Sequence, residues 1–498
     1  MQRLAAIDIS IVLLYLIGLL IAGYLLGKKQ KTNKDYFLGG RKLKWPMVGI
    51  SMVMSDIGAL EIVGIAGLAY TSGLSMANYD WIGCIPAMIV AAFVFIPFYW
   101  KSGVFTIPEY LGRRYNQTVR SLVALFWGLF MIANLGIFLW TSAKTLNILV
   151  GWPIYASILA TAFVIGFYTF AGGLRAVVFT DTIQYFILVL GSVIIIILAF
   201  IKVGGISGMV STVEEIGGPS RRDFFHLVLS TETTHPLSWS AVLFGLAFVL
   251  SPAYWIGNQA IVQRNLGTAS ERDAKKSVLF GAFLKLSIPF LIVIPGLVGF
   301  ALFPNLEKGD DVYPTMLREL LPPGLAGLVF AGFLAALMSS ADSYLNSAST
   351  LWTMDIYKKY IKPDAGSEHL FKVGKSLTLL FIIMAVFLAP MTDRFPGVFS
   401  LFITLLSIIQ GPIFALLLLG MLWKRANGQG AAAGLIFGVT TSSTLFWIKD
   451  SIFKIEDPAL YIAWWSFTTA LLTTIIISLL TRPKPAESLK GLVYTTKA

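Results

Sequence analysis

Four polar side chains follow a helical spacing inside the apolar segment LMSSADSYLNSASTLWT. They recur at i, i+3, i+4 and i+7 and therefore share one helical face: Ser339, Asp342, Ser343 and Asn346. Hydroxyl and carboxylate oxygens are hard ligands, which suit a small hard cation. Close helix packing is an alternative explanation for the serines, since small hydroxyl residues favour it. Packing does not explain the carboxylate, so the pattern indicates a cation site.

Two other apolar segments are interrupted near the middle by residues that break helices. One reads SMVMSDIGALEIVGIAG, with Ser55 and Asp56 at its centre, and the other reads LAFVLSPAYWIGNQ, with Ser251-Pro252. Paired interruptions of this kind are typical of inverted-repeat transporters, whose binding site lies at the broken helices. Two kinked structural helices are the alternative. If the first segment is unwound, the carbonyls of residues 54–57 can add to the cation site.

Seven ionisable side chains lie within long apolar segments. They are Asp56, Glu61, Asp80, Lys144, Asp181, Lys285 and Asp342. A charged group in the middle of a bilayer is costly, so each is a candidate functional residue. Lys144 lies near the end of its segment, where its long side chain can reach the interface. Asp181 can instead be a helix-capping carboxylate, and the residues alone leave that alternative open.

A further group of residues combines carboxylates with aromatic rings. Asp80 precedes Trp81, and Tyr254 with Trp255 follow the second interruption. Carboxylates accept paired hydroxyl donors and rings cover the apolar faces of sugars, so this set suits a sugar or a polyol. Tyr and Trp also mark membrane interfaces, but a position beside a mid-membrane interruption argues against that reading for Tyr254 and Trp255. Lys285, in FGAFLKLSIPFL, needs an acidic or carbonyl partner.

The composition places these residues in a membrane protein. Of the 498 residues, 56% are hydrophobic and 13% are charged, whereas soluble domains carry roughly 25% charged residues. This balance excludes a soluble enzyme and a secreted module. The single cysteine, Cys84, excludes a disulfide framework and a cysteine-based metal site. Apolar stretches long enough to cross a bilayer, about 17–25 residues, recur along the chain, and we count thirteen.

The basic residues predict the orientation of these spans. With the N-terminus outside, 27 of the 38 Lys and Arg residues fall in the cytoplasmic loops and nine in the outer loops. Cytoplasmic loops of membrane proteins carry the excess of Lys and Arg. The sequence therefore predicts a multi-pass protein of the cell membrane, with an outer N-terminus and a cytoplasmic C-terminus. The excess of basic residues in the cytoplasmic loops accounts for the net charge of +12, so a nucleic-acid partner is not expected.

Two candidate repeats emerge when five spans are counted from each interruption, residues 46–202 and 238–423. Residues 1–45 then form an extra N-terminal helix with a cytoplasmic loop, and residues 203–237 form an extracellular loop. Residues 424–498 hold two C-terminal helices and a short cytoplasmic tail. The predicted fold is an all-α integral membrane protein with about 13 transmembrane helices.

Longer motifs resemble the sodium:solute symporter family, especially its sodium/glucose cotransporter branch. They occur in the expected order along roughly residues 1–425: KDYFLGGRKL, GVFTIPEYLGRRY, FYTFAGGLRAVVFTDTIQYFILVLG, YWIGNQAIVQRNLG, FLKLSIPFLIVIPG and LMSSADSYLNSASTLWTMDIYKKY. The resemblance implies the leucine-transporter-type fold, in which two inverted five-helix repeats give alternating access to a central site. This agrees with the repeat boundaries above, which leave one extra N-terminal and two extra C-terminal helices.

The same resemblance assigns candidate cation ligands. The sodium ligands that it implies are the carbonyls of Met54, Ile57 and Ala336 and the hydroxyls of Ser339 and Ser340. Asp181 matches the carboxylate of the family's TD motif, which is linked to cation coupling. We expect a candidate second cation site at Asp181 and Asp342, where Asp342 could also accept a proton.

The substrate site can also be carried over by motif. In the sugar branch the matching positions are Asp56, Glu61, Asp80, Ser251, Tyr254, Trp255, Lys285 and Thr404, and Tyr254 resembles the inner gate. This chain departs from the sugar members at Asp56 (Asn there), Glu61 (His or Gln), Asp80 (Glu), Ser251 (Asn) and Thr404 (Gln). Three carboxylates then face Lys285, a formal charge of −2 that disfavours anionic substrates such as monocarboxylates and sialic acids.

We therefore expect a sodium-coupled secondary active symporter that imports a small polar solute, most readily a sugar or a polyol. Proton coupling, or transport of an amino sugar, an amine or an amino acid, is the alternative, since buried carboxylates can titrate. A channel or sensor on the same scaffold is a weaker hypothesis. An enzyme is not expected, because the chain shows no nucleophile–base pair and no metal-ligand set. The expected partners are the solute, sodium ions and the lipid bilayer, with no obligate protein partner.

Overall fold

The protein is described by a computed structural model over residues 5–27, 32–218, 223–231, 235–395, 397–455 and 457–494. Some basic residues that were counted for the predicted orientation, among them Lys28 on the inner side and Arg221 on the outer side, lie outside the described residues. Within these ranges the chain is helical, and no β-strand occurs besides two isolated bridges. The predicted all-α architecture is confirmed.

Fifteen helical segments of more than ten residues form the body of the described chain. In chain order they are α1 Ala6–Gly27, α2 Trp45–Asp56, α3 Ala59–Ser72, α4 Leu74–Ser102, α5 Gln117–Val150, α6 Ile154–Val203, α7 Gly205–Gly217, α8 Ala241–Gly257, α9 Glu271–Lys285, α10 Ile288–Leu302, α11 Leu325–Ile361, α12 Ser367–Leu388, α13 Val398–Leu422, α14 Gly428–Trp447 and α15 Ala459–Leu480. Shorter helices connect them, and Ile107–Arg114 and Gln259–Leu266 matter below.

Nine helices in the described ranges are long and apolar enough to cross a membrane, and two bent pairs raise that number to 11. The predicted count of thirteen is therefore not confirmed. Two of the predicted spans explain the difference. Among the described residues, the first part of α6 counts only as a shorter apolar helix, Ile154–Phe167, and Gly173 with φ 52° interrupts α6 further along. The other, α14, is rich in Gly, Ser and Thr, which lower its hydropathy.

The first predicted interruption separates α2 from α3, which meet at an angle of 52°. Ile57 and Gly58 leave the helical region, with ψ values of 62° and 176°. Gly58 lies so close to α11 that a Cβ atom there would collide with the hydroxyl of Ser340. The carbonyls at the end of α2 consequently lose their helical partners and point to other groups.

The second interruption lies seven residues later in the chain than the sequence suggested. We predicted it at Ser251-Pro252, but α8 continues to Gly257 and the bend of 48° occurs at Asn258. Wide π-helical turns over Ala241–Leu250 precede the proline, so the missing N–H of Pro252 does not end the helix. Asn258 ends it because its backbone is extended and its side chain accepts the N–H of Ala260 at 2.9 Å.

The helix with the polar stripe, α11, lies at the centre of the bundle. In its most apolar window 83% of the residues are buried, compared with 72% for α5 and α13 and 12% for α1. A polar stripe in a helix that is surrounded by protein need not face lipid. Helix α11 packs most extensively against α6 and α5 and also contacts both broken pairs, which places its serines beside the first break.

Candidate functional site

A cavity of about 60 Å³ lies between the two broken helices. Its polar wall holds seven of the eight predicted substrate residues: Asp56, Glu61, Asp80, Ser251, Tyr254, Trp255 and Lys285. Its apolar wall comes largely from α13 through Phe399, Phe402, Ile403 and Leu406, which follow one helical face. Thr404, the eighth predicted residue, is half-buried on a different face of α13 and does not line the cavity.

Lys285 is the central charge of this cavity. Its ammonium forms ion pairs with Asp80 Oδ1 at 2.5 Å and with Asp56 Oδ2. The side chains of Lys285 and Asp80 are 3% and 4% exposed. Both charges are therefore removed from solvent, and each is stabilised by the opposite charge of the other. Lys285 ends α9 and is followed by a turn. The indole N–H of Trp81 donates to the carbonyl of Leu286 in that turn at 3.1 Å, which ties the turn to α4 and holds Asp80 beside the ammonium.

Cys84 also faces this group, although the sequence argued against a cysteine-containing metal site. Ligand atoms of Asp56, Asp80 and Cys84 lie within 4.8 Å of one another. The ammonium of Lys285 already pairs with both carboxylates. It therefore occupies the position of a cation, and a metal ion would have to displace it.

Two polar atoms of the cavity wall have no hydrogen-bond partner among the described residues. One is Oε2 of Glu61, an acceptor, and the other is Nε1 of Trp255, a donor. Both residues are buried, at 7% and 1% exposure. Buried polar atoms are usually hydrogen-bonded, and an exception requires an explanation. A bound molecule with groups that both donate and accept hydrogen bonds would satisfy the two atoms together.

Tyr254, the predicted inner gate, packs its ring against Trp255 at a centroid distance of 5.6 Å. Its carbonyl accepts the N–H of Asn258 at 3.1 Å, so Tyr254 lies on the last turn before the second break. Its ring is 7% exposed and lines the cavity. An aromatic ring at a bend can swing when the angle between the two helical halves changes, which fits the expected role.

The predicted sodium ligands lie on α11 and at the end of α2, two helices that contact each other. Ser340 donates its hydroxyl to the carbonyl of Ser55 at 3.0 Å, and the chain is non-helical at Ile57. Met54, Ile57 and Ala336 are all buried at 1% exposure or less. Carbonyl and hydroxyl oxygens in a dry environment are the ligands that a small hard cation prefers. The donor set therefore has the right chemistry for sodium.

Asp181 joins this region through Ser339, which donates its hydroxyl to Asp181 Oδ1 at 2.6 Å. Asp181 is fully buried and lies inside α6, more than a turn beyond the kink at Gly173. It therefore does not cap a helix, which removes the alternative that the residues alone left open. Asp342 accepts the hydroxyl of Ser343 at 3.1 Å. Both members of the predicted second cation site thus contact a serine of the α11 stripe.

Arg264 is a candidate functional residue that the sequence did not single out. Its position in a short basic loop made it a topology signal, yet it is 1% exposed. Its guanidinium pairs with Asp181 at 3.3 Å and donates to hydroxyls on α2 and α11: those of Ser51, Ser55 and Ser343. The helix Gln259–Leu266 that carries Arg264 is buried on every side. The polar run Gln263, Arg264 and Asn265 soon after a break was the available signal.

The end of the molecule that the sequence predicts to lie outside contains a further set of charges. Lys144, which we expected to snorkel, pairs with Asp311 at 3.0 Å. The neighbouring Asp310 accepts the N–H of Val398 at 3.2 Å, at the start of α13. Burial raises the pKa of Asp310 to about 6. The loop before α11 is therefore fastened to the helix that supplies the apolar wall of the cavity.

A family model described as the sodium:solute symporter family matches residues 36–438. The chain is 33% identical to a sodium/glucose cotransporter of Vibrio parahaemolyticus, over 95% of this chain and 90% of that one. It is 32% identical to sodium/myo-inositol cotransporter 2 of Oryctolagus cuniculus, over 98% and 79%. A Na+-coupled sialic acid symporter in a substrate-bound outward-open state superposes with a TM-score of 0.85 at 25% identity, over 96% and 99%.

Proposed function

This chain belongs to the sodium:solute symporter family, and from that membership and the geometry of the cavity we propose that it imports a neutral sugar or polyol together with sodium. Its relatives are transporters and its fold is that of sodium-coupled symporters. We propose no enzymatic activity. The orientation with an outer N-terminus and a cytoplasmic C-terminus, in the cell membrane, is part of the proposal. So are the repeats at residues 46–202 and 238–423.

The two unpartnered atoms of the cavity carry the substrate proposal. A hydroxyl group can accept from Trp255 Nε1 and donate to Glu61 Oε2, the two atoms without partners among the described residues. A carboxylate on the substrate would face Glu61 at close range in a low dielectric, so an anion is disfavoured. Lys285 offers no compensation, because both Asp56 and Asp80 already pair with it.

An amine-bearing substrate is the second candidate, and Glu61 favours it. The carboxylate of Glu61 is a third acid in a cavity whose one lysine is already paired. An amino sugar could place its ammonium against Glu61 and its hydroxyls against the other polar atoms. The two candidates differ in what they require of Glu61, since Gln in its place can still bind a hydroxyl but no longer neutralises an ammonium.

Coupling is proposed to depend on the contact between the first break and α11. Sodium held by the carbonyls of Met54, Ile57 and Ala336 and the hydroxyls of Ser339 and Ser340 would fasten α2 to α11 on one side of the substrate. Coupling requires that sodium binds one conformation more tightly than the other, since equal affinity shifts no equilibrium. We propose that the break between α2 and α3 contacts the serines of α11 in only one of those two conformations.

The uptake of radiolabelled solutes into proteoliposomes tests both parts of the proposal. The panel contains glucose, myo-inositol, glucosamine and sialic acid, each with a sodium gradient, with a proton gradient in sodium-free buffer and with neither. We expect uptake of a neutral member that requires sodium. Uptake driven equally by the proton gradient would contradict sodium coupling, and transport of sialic acid alone would contradict the charge argument.

The variant S339A/S340A tests the assignment of the sodium ligands. It should lower the sodium affinity by tenfold or more, because two oxygen ligands are lost. The matched control is S349A on the same helix, whose hydroxyl bonds the carbonyl of Gly374 at 2.6 Å away from the break. The control should retain the sodium dependence of the wild type. If both variants have the same sodium dependence as the wild type, the sodium site lies elsewhere.

A further inference from the structure

A cavity of about 1110 Å³ lies at the opposite end of the molecule from Asp310, among the basic loops. The end of α4, the helix Ile107–Arg114 and the start of α9 form one side of it. The other side is the C-terminal segment from Pro483 to Tyr494. This cavity shares no residue with the substrate cavity. Arg113 is its one lining residue that lies in a family motif quoted above, and the coupling proposal does not use the cavity.

The C-terminal segment is held in place as a wall of this cavity. The backbone N–H of Tyr494 donates to the carbonyl of Met421 at 2.8 Å. The hydroxyl of Tyr110 donates to the carbonyl of Leu492 at 3.0 Å. Lys484 Nζ donates to the carbonyl of Arg113 at 2.7 Å. Three hydrogen bonds, two to the helix Ile107–Arg114 and one to the end of α13, hold the segment as a wall of the cavity.

The charge of the cavity wall is strongly positive. Six basic side chains line it, against the single carboxylate of Glu271: Lys101, Arg113, Lys424, Arg425, Lys484 and Lys490. Lys101 pairs with Glu271 at 3.2 Å and Arg113 with Glu109 at 2.6 Å. The remaining four form no ion pair with any carboxylate among the described residues. Four uncompensated cations around one space attract an anion.

Two of these four cations are partly removed from water, which makes the missing counter-charge costly. The Nη1 atom of Arg425 is buried and has no hydrogen-bond partner in the described chain. Burial and the nearby guanidinium of Arg114 lower the pKa of Lys484. An unpaired buried guanidinium nitrogen is an unusual feature and requires a ligand or a water molecule.

The remaining wall of the cavity is apolar and faces the membrane. Phe93, Val94 and Phe98 of the spanning helix α4 line it, and Phe93 is 54% exposed on the surface of the bundle. The ammonium of Lys275 lies 3.8 Å from the centre of the Phe93 ring. A basic space that continues onto a lipid-facing aromatic surface matches an amphiphile with an anionic head.

We propose that this cavity binds an anionic phospholipid, with its phosphate between Lys424, Arg425 and Lys490 and an acyl chain along Phe93. A free phosphate or phosphorylated metabolite shares the head-group chemistry but does not need the apolar wall. The phospholipid is favoured because the wall beside the cations belongs to a membrane-spanning helix and is open to the hydrocarbon. Basic spaces between helices at the membrane surface are known sites for such head groups.

The test is the retention of lipid by the purified full chain. Protein reconstituted in nanodiscs of phosphatidylcholine with phosphatidylglycerol is extracted and examined by native mass spectrometry. We expect phosphatidylglycerol to remain bound and phosphatidylcholine to be lost. The variant K424Q/R425Q/K490Q should reduce the bound fraction by tenfold or more. The matched control K359Q/K362Q/K372Q removes three exposed cations outside the cavity and should bind as the wild type does.

Two further arms separate the possible outcomes. F93S should weaken retention of the phospholipid while leaving any thermal protection by inorganic phosphate unchanged. Equal protection by inorganic phosphate and by the phospholipid, with no effect of F93S, would show a site for a soluble anion and overturn the proposal. Equal lipid retention in the triple variant and the wild type would overturn it as well. If the triple variant does not fold, K490Q alone changes an exposed side chain and should still lower retention by several fold.

Discussion

Replacing Lys285 with methionine should destabilise the protein more than replacing Asp80, one of the two acids with which it pairs. Methionine keeps the length of the side chain and removes its charge. Asp56, Asp80 and Glu61 would then share a cavity of about 60 Å³ without the cation that now lies between the first two. Removing one partner from a buried ion pair costs about 3–5 kcal/mol, because the charge left behind stays unpaired and dry.

The variant D80N is expected to cost less, since Lys285 keeps its ion pair with Asp56. The loss is then one charge-assisted hydrogen bond, worth about 1.5–3 kcal/mol. Unfolding entropy of roughly 2.1 cal/mol/K per residue, taken over 498 residues, converts about 1 kcal/mol into about 1 °C of Tm. We therefore expect Tm to fall by about 3–5 °C for K285M and by about 1.5–3 °C for D80N.

Thermal unfolding of the purified chain, followed by tryptophan fluorescence in one detergent, measures both shifts. The variant D56N/D80N/K285M should recover most of the Tm lost in K285M, because neutral isosteres replace the whole ion-pair set, while its sodium-driven uptake stays lost. K101M is the control, since its ion pair with Glu271 involves a side chain that is 62% exposed. Exposed pairs contribute at most about 1 kcal/mol. A Tm for K285M at or above that of D80N would refute the reasoning.

Four further changes test separate parts of the site. E61Q should preserve the fold and the sodium-driven uptake of a neutral solute, but KM should rise about tenfold, which corresponds to about 1.4 kcal/mol of binding free energy. If E61Q folds normally and loses all uptake, the result would favour an amine substrate. G58A should abolish uptake at any sodium concentration, because the added Cβ would collide with Ser340 and lie 2.8 Å from Glu61 Oε2. R264K should reduce uptake at least tenfold although the positive charge is kept, because an ammonium cannot form the several hydrogen bonds that the Arg264 guanidinium donates. Uptake at the wild-type rate would contradict a positioning role for Arg264. Burial raises the pKa of Asp310 to about 6. Between about pH 4 and pH 6, Asp310 is therefore protonated in the folded state and deprotonated in the unfolded state. The contribution of Asp310 to stability should therefore fall as pH rises through that window and level off above it, and the slope of Tm with pH should be smaller in D310N than in the wild type.

The membrane architecture was predictable because apolar length alone decides it. A segment of suitable length and hydropathy has few alternatives to a spanning helix. The first break was predictable for a related reason, since Asp56 and Gly58 both oppose a helix inside an apolar run. The polar face of α11 was predictable from the spacing of its polar residues, because a row of polar side chains on one helical face cannot face lipid and has to face protein. Each of these inferences depends on one element and its immediate surroundings.

The second break and Arg264 were not predictable because they depend on neighbours. Pro252 has the stronger helix-breaking tendency, but wide turns before it absorb the missing N–H, and the chain bends at Asn258 instead. Arg264 follows that bend, so its burial depends on where the bend falls. Thr404 shows the same limit, because a motif match gives the helix but not which face of α13 meets the cavity.

Arg264 and Lys285 together divide the buried acids of the site into two separate groups. Lys285 neutralises Asp56 and Asp80 beside the solute, and Arg264 neutralises Asp181 beside the predicted sodium ligands. A second sodium ion at Asp181 and Asp342 would have to share Asp181 with the guanidinium at close range, where like charges repel strongly. In the conformation described here Arg264 itself therefore supplies the second positive charge. For the predicted second cation site at Asp181 and Asp342, we expect that a movement of the helix Gln259–Leu266 which withdraws Arg264 would free Asp181 for a cation. That movement would occur at the bend beside Tyr254.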